Sequence, residues 1–343
     1  MKARLVFSVF LFSALGALAQ EDLKVVKLGA VPAIARKAIQ TQAGANTIEE
    51  IERVELKGVV TYDVDTTLKD GTLRDFTIAA NGTVVSQEIA LTDAPVIVQK
   101  VIKAQIGTNT LTAVEKAYED DGIKYEVTFT TPKNEDRNCT IDEMGKLESL
   151  EIALGDAPPV VQAAAKKQLG AGVLDEIDRV TDSDGTTYQI NFTTKAGDER
   201  SFTLNDWGTL ESLEITLADT PKVVQQSIKA EVGAGEVQDV DKIFEDGNIT
   251  YEVGMTTKGG RYRNFTIAED GKLDSREVNL AETPVLVQAT IKEQLGTGKI
   301  LRIDRSFLEK DTGVFPYEVQ AEKNGKPFDF SVGPKGKFLG MDD

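Results

Sequence analysis

Histidine is absent from the 343-residue chain and cysteine occurs once, so any chemistry falls to carboxylates, basic side chains and one thiol. Without imidazole there is no histidine general base, no serine–histidine relay and no histidine-ligated zinc, and one cysteine cannot close a disulfide within a chain. Asp182-Ser183-Asp184-Gly185 has the opening spacing of a calcium loop, yet Thr193 stands where an EF-hand needs its bidentate glutamate. Glu119-Asp120-Asp121-Gly122 and Glu245-Asp246-Gly247 sit at nearly equivalent places, and acidic hairpin turns account for all three. With 56 Asp and Glu spread along the chain, carboxylate pairs of the kind used in glycoside hydrolysis arise by chance. Cys139 occupies the place held elsewhere by Phe76, Phe202 and Phe265, which predicts a buried thiol acting as a small hydrophobe. No catalytic residue, cofactor site or metal ligand is therefore assigned.

Candidates for recognition remain. Arg74, Arg137, Arg200 and Arg263 recur 63 residues apart, with Lys326 in the corresponding place further on. They either line a repeated ligand face or pair with nearby carboxylates. Trp207 stands at an expected hairpin tip, where Asn81, Met144 and Asp270 stand in the other copies. It is a candidate anchor for a partner, and packing against the next repeat is its other reading. The 56 acidic residues against 39 basic ones leave a net charge of −17, which repels nucleic acid phosphates and anionic lipid. Residues 92–154 and 155–217 carry −5 and −6, the most acidic stretches, and would draw a basic partner best.

The elements that must position these residues follow from one period. Pro32, Pro95, Pro158, Pro221 and Pro284 are 63 apart, as are Gly44, Gly107, Gly170, Gly233 and Gly296, and Tyr62, Tyr125, Tyr188 and Tyr251. Such periodicity marks a tandem array. The copies are residues 29–91, 92–154, 155–217, 218–280 and 281–343. Turn-length changes are expected near Asp311-Thr312-Gly313 and Asn324-Gly325 in the last one. Each copy opens on a start signal such as TDAP or ADTP, with Asp or Thr expected to cap a helix. Val98, Ile102 and Ile106 then fall on one helical face, and Gly107 ends it. Alternation in Tyr188, Ile190 and Phe192 predicts a half-buried strand, and further strands follow around an acidic or polar residue plus glycine. Around Leu174, Ile177 and Val180 a spacing of three fits a strand or a short helical turn. The fold class is α+β: five tandem modules, each one helix on a four-stranded antiparallel sheet.

Before the array, Lys2 and Arg4, the apolar run Leu5 to Leu15, and Ala17-Leu18-Ala19 have the order of a secretory signal peptide, 1–19, with a lead segment 20–28. An exported protein, periplasmic or extracellular, with no membrane insertion after cleavage is expected.

The pattern Thr220-Pro221 to Gly233, Tyr251-Glu252-Val253, Phe265-Thr266-Ile267 and Asp270-Gly271-Lys272-Leu273 resembles the PepSY-like, beta-lactamase-inhibitor-like family, and the resemblance covers all five copies. It implies non-catalytic modules that bind, and restrain, a secreted or envelope protein such as a hydrolase. No inhibitory residue carries over, because the shared positions are core and turn. A structural or matrix spacer without a specific partner is the alternative, and a calcium-responsive module a further one.

Overall fold

The computed structural model describes residues 23–56, 59–119, 122–181, 185–245, 247–307, 316–323 and 326–342. The expected signal peptide and the turn-length changes near 311–313 and 324–325 lie outside them. The architecture is α+β, with five 11-residue helices lying against one long antiparallel sheet. The helices are α1 (Ala33–Ala43), α2 (Val96–Ile106), α3 (Pro159–Leu169), α4 (Lys222–Val232) and α5 (Val285–Leu295).

Four strands follow α3: Val173–Thr181, Thr186–Thr193, Glu199–Asn205 and Leu210–Glu214. Each pairs antiparallel with the next, so the chain meanders. Tyr188, Ile190, Phe192, Phe202 and Leu204 turn one face of this meander onto Val161 and Ala165 of α3, which are fully buried. Apolar burial at this density, roughly 1.5–3 kcal/mol for each large side chain removed from water, fixes which face the helix covers. Four further clusters repeat the arrangement beneath the other helices.

The segment with ambiguous spacing is a strand. A β-bulge between Leu174 and Glu176 shifts the register by one, so Leu174 and Ile177 both pack under the helix although three residues apart. Helix starts differ from the sequence expectation. The N-cap position is the proline itself, extended and without a side-chain cap, at Pro32, Pro95, Pro158, Pro221 and Pro284. Proline brings no hydroxyl or carboxylate to the free amides, so Asp219 and Glu282 instead cap the short 3₁₀ turns before α4 and α5. The entries of α2 to α5 are steadied from inside the helix: the side-chain amides of Gln99, Gln162, Gln225 and Gln288 donate to the carbonyls of Ala94, Ala157, Thr220 and Thr283 at 2.8–2.9 Å.

Between one four-strand meander and the next, the sheet continues. Strands Val84–Glu88, Leu147–Glu151, Leu210–Glu214 and Leu273–Glu277 pair with Thr110–Glu119, Val173–Thr181, Glu236–Glu245 and Lys299–Ser306. Each of these seams has only three residue pairs, against nine between Thr110–Glu119 and Gly122–Thr130. At the beginning, the two-residue strand Lys24–Val25 covers the edge of Thr47–Leu56 in the same manner.

Third and fourth strands join at tips whose glycines hold φ between +75° and +87°. A Cβ on Gly208 would lie 2.8 Å from the Val160 carbonyl oxygen, whereas one on Gly197, also at positive φ, would meet nothing within 4 Å. Alanine at either place carries backbone strain of about 1–2 kcal/mol. Gly208→Ala adds a backbone clash, so thermal melts should show it clearly less stable than Gly197→Ala.

Candidate functional site

Four strands, an even number, separate successive tips, so all the tips emerge on one edge of the sheet. Trp207 sits at the third tip with 79% of its surface exposed, its backbone N–H donating to Asn205 Oδ1. The neighbouring Gly208 rests on the first turn of α3, where Val160 is also exposed. One period earlier Met144 is 77% exposed, and Gly145 rests on Ile97, which is exposed beside Val96. Large apolar side chains are thus held in water at two consecutive tips.

The arginine series lies elsewhere. Arg137 Nη1 is 3.7 Å from Asp156, Arg200 Nη1 is 3.7 Å from Asp219, and Arg263 Nη2 is 2.9 Å from Glu282. Each guanidinium thus ties a third strand to the connector leading into the next helix. Arg74 Nε is 3.9 Å from Glu88. All four side chains are partly buried, and none belongs to the tip edge that carries Trp207.

Cys139 is buried in the core beneath α2, and burial pushes its thiol up to about 12, so it is neither thiolate nor accessible at neutral pH. The acidic turns at 119–122, 182–185 and 245–247 lie partly outside the described residues. Among the described residues, no group of three or more His, Cys, Asp or Glu could hold a metal ion, and no helix is long and apolar enough to cross a membrane. A cleft of about 400 Å³ beside the last seam is lined by Arg263, Arg276, Arg305, Glu231 and Glu282. Its charges answer one another: Arg276 pairs with Glu231, Arg263 with Glu282, and Arg305 lies 4.7 Å over the Phe307 ring.

A second carboxylate set, not singled out by sequence reasoning, occupies the face opposite the helices. Glu88, Glu151, Glu214 and Glu277 end the fourth strands and stand in register with Glu115, Asp178, Asp241 and Asp304 across the seams. Glu151, Glu214 and Glu277 also accept from the backbone N–H groups of Asn138, Ser201 and Asn264 at 3.0–3.3 Å, amides left over where the fourth strand stops. Burial raises Glu115 and Asp178 to about 8, and Glu126, Glu151 and Glu214 to about 7. Their period of 63 was visible in the sequence, but the same period marks every turn and core residue.

A head-to-tail run of helix-and-meander units defines a class of repeat-built α+β proteins. The family described as beta-lactamase-inhibitor-like, PepSY-like matches residues 60–149 and 186–275, just over half of the sequence, and the chain belongs to it. Among solved structures it is similar to a Bacteroides thetaiotaomicron protein described as periplasmic and calcium-regulated, at 18% identity over 38% of this chain and 97% of that one, TM-score 0.26. It is also similar to a BLIP-like protein of Bacteroides fragilis, at 15% identity over 34% and 82%, TM-score 0.25. The C-terminal domain of Bacillus megaterium YpeB matches at 18% identity over 56% of this chain and 99% of that one, TM-score 0.17. No curated protein matches the sequence.

The raised carboxylates set the pH response. They hold protons in the folded state that the unfolded chain releases, so between the ordinary carboxylate range and about pH 8 the folded state binds more protons. Stability therefore falls as pH rises through that window. The melting temperature should be higher at about pH 5.5 than at about pH 8.5, and calorimetry across that range checks the sign.

Proposed function

We propose that this chain is an exported, non-catalytic repeat protein that binds a secreted or envelope protein, such as a hydrolase, and restrains it. In this reading residues 1–19 direct export and 20–28 lead in. The copies 29–91, 92–154, 155–217, 218–280 and 281–343 are five modules, each one helix on four strands, that work in the periplasm or outside the cell. Membership of an inhibitor-like family supports a binding role. The core and turn character of the repeated residues, with no histidine and a buried thiol, supports the absence of catalysis.

The observation that carries the proposal is Trp207, 79% exposed on the edge where Met144 is also exposed. A rigid aromatic side chain held out of its own core gains most by entering a partner's pocket, and truncating such an anchor typically costs 2 kcal/mol or more of binding, about thirtyfold. Arg74, Arg137, Arg200 and Arg263 act behind this contact, holding strands and connectors so that the tips stay in line, and reach a partner only at its margin. The acidity of residues 92–217 favours a basic surface around the pocket.

The test is native affinity capture from the exported fraction with the intact chain, followed by titration of the purified partner. Saturable binding that Trp207→Ala weakens by about thirtyfold, with an unchanged melting temperature, is expected. If the intact chain captures nothing saturable, the array serves as a structural spacer. If Trp207→Ala binds like the parent, the contact lies elsewhere.

A further inference from the structure

The carboxylates meet at every seam in the same register. At the first seam Glu88 faces Glu115, at the second Glu151 faces Asp178, at the third Glu214 faces Asp241, and at the fourth Glu277 faces Asp304. Directly opposed residues in an antiparallel pair have Cβ atoms roughly 5 Å apart, and like charges there push the strands apart. Each seam has only three residue pairs, as few as the hairpins between third and fourth strands, and unlike those hairpins no tight turn ties its two strands together. Local opening takes place where the fewest bonds must break.

The surrounding charges differ from seam to seam. Glu115 faces Glu126, Asp75 and Asp63 as well as Glu88, with the Ser86 hydroxyl beside it, and Arg74 stands 3.9 Å from Glu88, its charge acting also on Asp75. Lys124, one row along, is engaged by Glu148 at 2.7 Å. Around Glu151 and Asp178 stand Glu176 and Asp136, with Arg137, which also reaches Asp156. Around Glu214 and Asp241 stand Asp239, Glu252 and Tyr262, with Arg200, which also reaches Asp219. The fourth seam is built differently. Arg302 Nε lies 2.6 Å from Asp304 and its charge acts on Glu252 and Glu277, while Arg261 Nη2 lies 3.6 Å from Glu277 and Glu318 is the remaining acid. At the place of Arg302 the earlier copies have Glu50, Ala113, Glu176 and Asp239, none of them basic.

We propose that the first three seams are proton-sensitive hinges, closed while the opposed carboxylates share protons and loosened when both ionise, and that the fourth is locked by Arg302 and Arg261. A protonated carboxyl opposite a carboxylate donates a hydrogen bond in place of repulsion, and such a pair titrates as a unit. Raising the pH from about 6 to about 8.5 removes the shared protons, because Glu115, Glu151, Asp178 and Glu214 titrate at about 7 to 8. The units stay folded on their own cores while the joins between them loosen.

Four equivalent backbone bonds report on the seams: Ile89 N–H to Val114, Ile152 to Ile177, Ile215 to Val240 and Val278 to Ile303, at 2.8–2.9 Å. Amide hydrogen exchange of the intact chain, with each rate divided by its intrinsic value at that pH, reads them separately. Between about pH 6 and pH 8.5, protection at Ile89, Ile152 and Ile215 should fall at least about tenfold, and at Val278 least of all. Glu115→Gln should flatten the response at Ile89 alone, Asp178→Asn at Ile152 alone, and Arg302→Gln should make Val278 respond like the others. The proposal is overturned if the parent shows all four amides falling together or none falling. A slope at Ile89 that survives Glu115→Gln would overturn it equally.

Discussion

A strand at the side of a sheet exposes a row of backbone N–H and C=O groups that must find partners, and everything in this array depends on how that demand is met. Strands Val84–Glu88, Leu147–Glu151, Leu210–Glu214 and Leu273–Glu277 each hand their open side to the first strand beyond the next helix, three residues at a time. At the beginning, Lys24–Val25 does the same for the first unit. A unit of about 60 residues buries a modest core, and the shared join adds to the stability that its helix–sheet core supplies. The glutamates that end the fourth strands belong to the same solution, accepting the amides that three pairs leave over.

Core packing and exposed tips are segregated. The buried faces beneath the helices hold the tyrosine, isoleucine and phenylalanine ladders and the thiol of Cys139. The repeated arginines and glutamines fasten connectors. At the exposed tips, Asn81, Met144, Trp207 and Asp270 replace one another without touching the core. An exposed turn can vary in a repeat array without disturbing the packing beneath it.

Most of this order was legible in the residues. The prolines, glycines and tyrosines gave the period, and alternation around Tyr188 gave a strand, because local periodicity records which face is buried. Leu174 and Ile177 stayed ambiguous for a definite reason: a bulge between them changes parity inside the strand, so their spacing of three belongs to a sheet. The seams were not legible. Register between units depends on how two strands far apart in sequence align, and Glu88 carries no mark to say that it will face Glu115. The arginines were recognised as a series, while their partners, acids of the connectors, became evident only in three dimensions.

The even strand count has a consequence for how such a protein can change length. Duplicating or deleting a whole 63-residue segment returns the chain to the same side of the ribbon and pointing the same way. A longer or shorter descendant therefore keeps its tips on one border, and only an odd gain or loss of strands would send them to opposite borders. Growth by recombination is thus cheap in geometry, a ruler that can be cut or spliced at any mark without turning over.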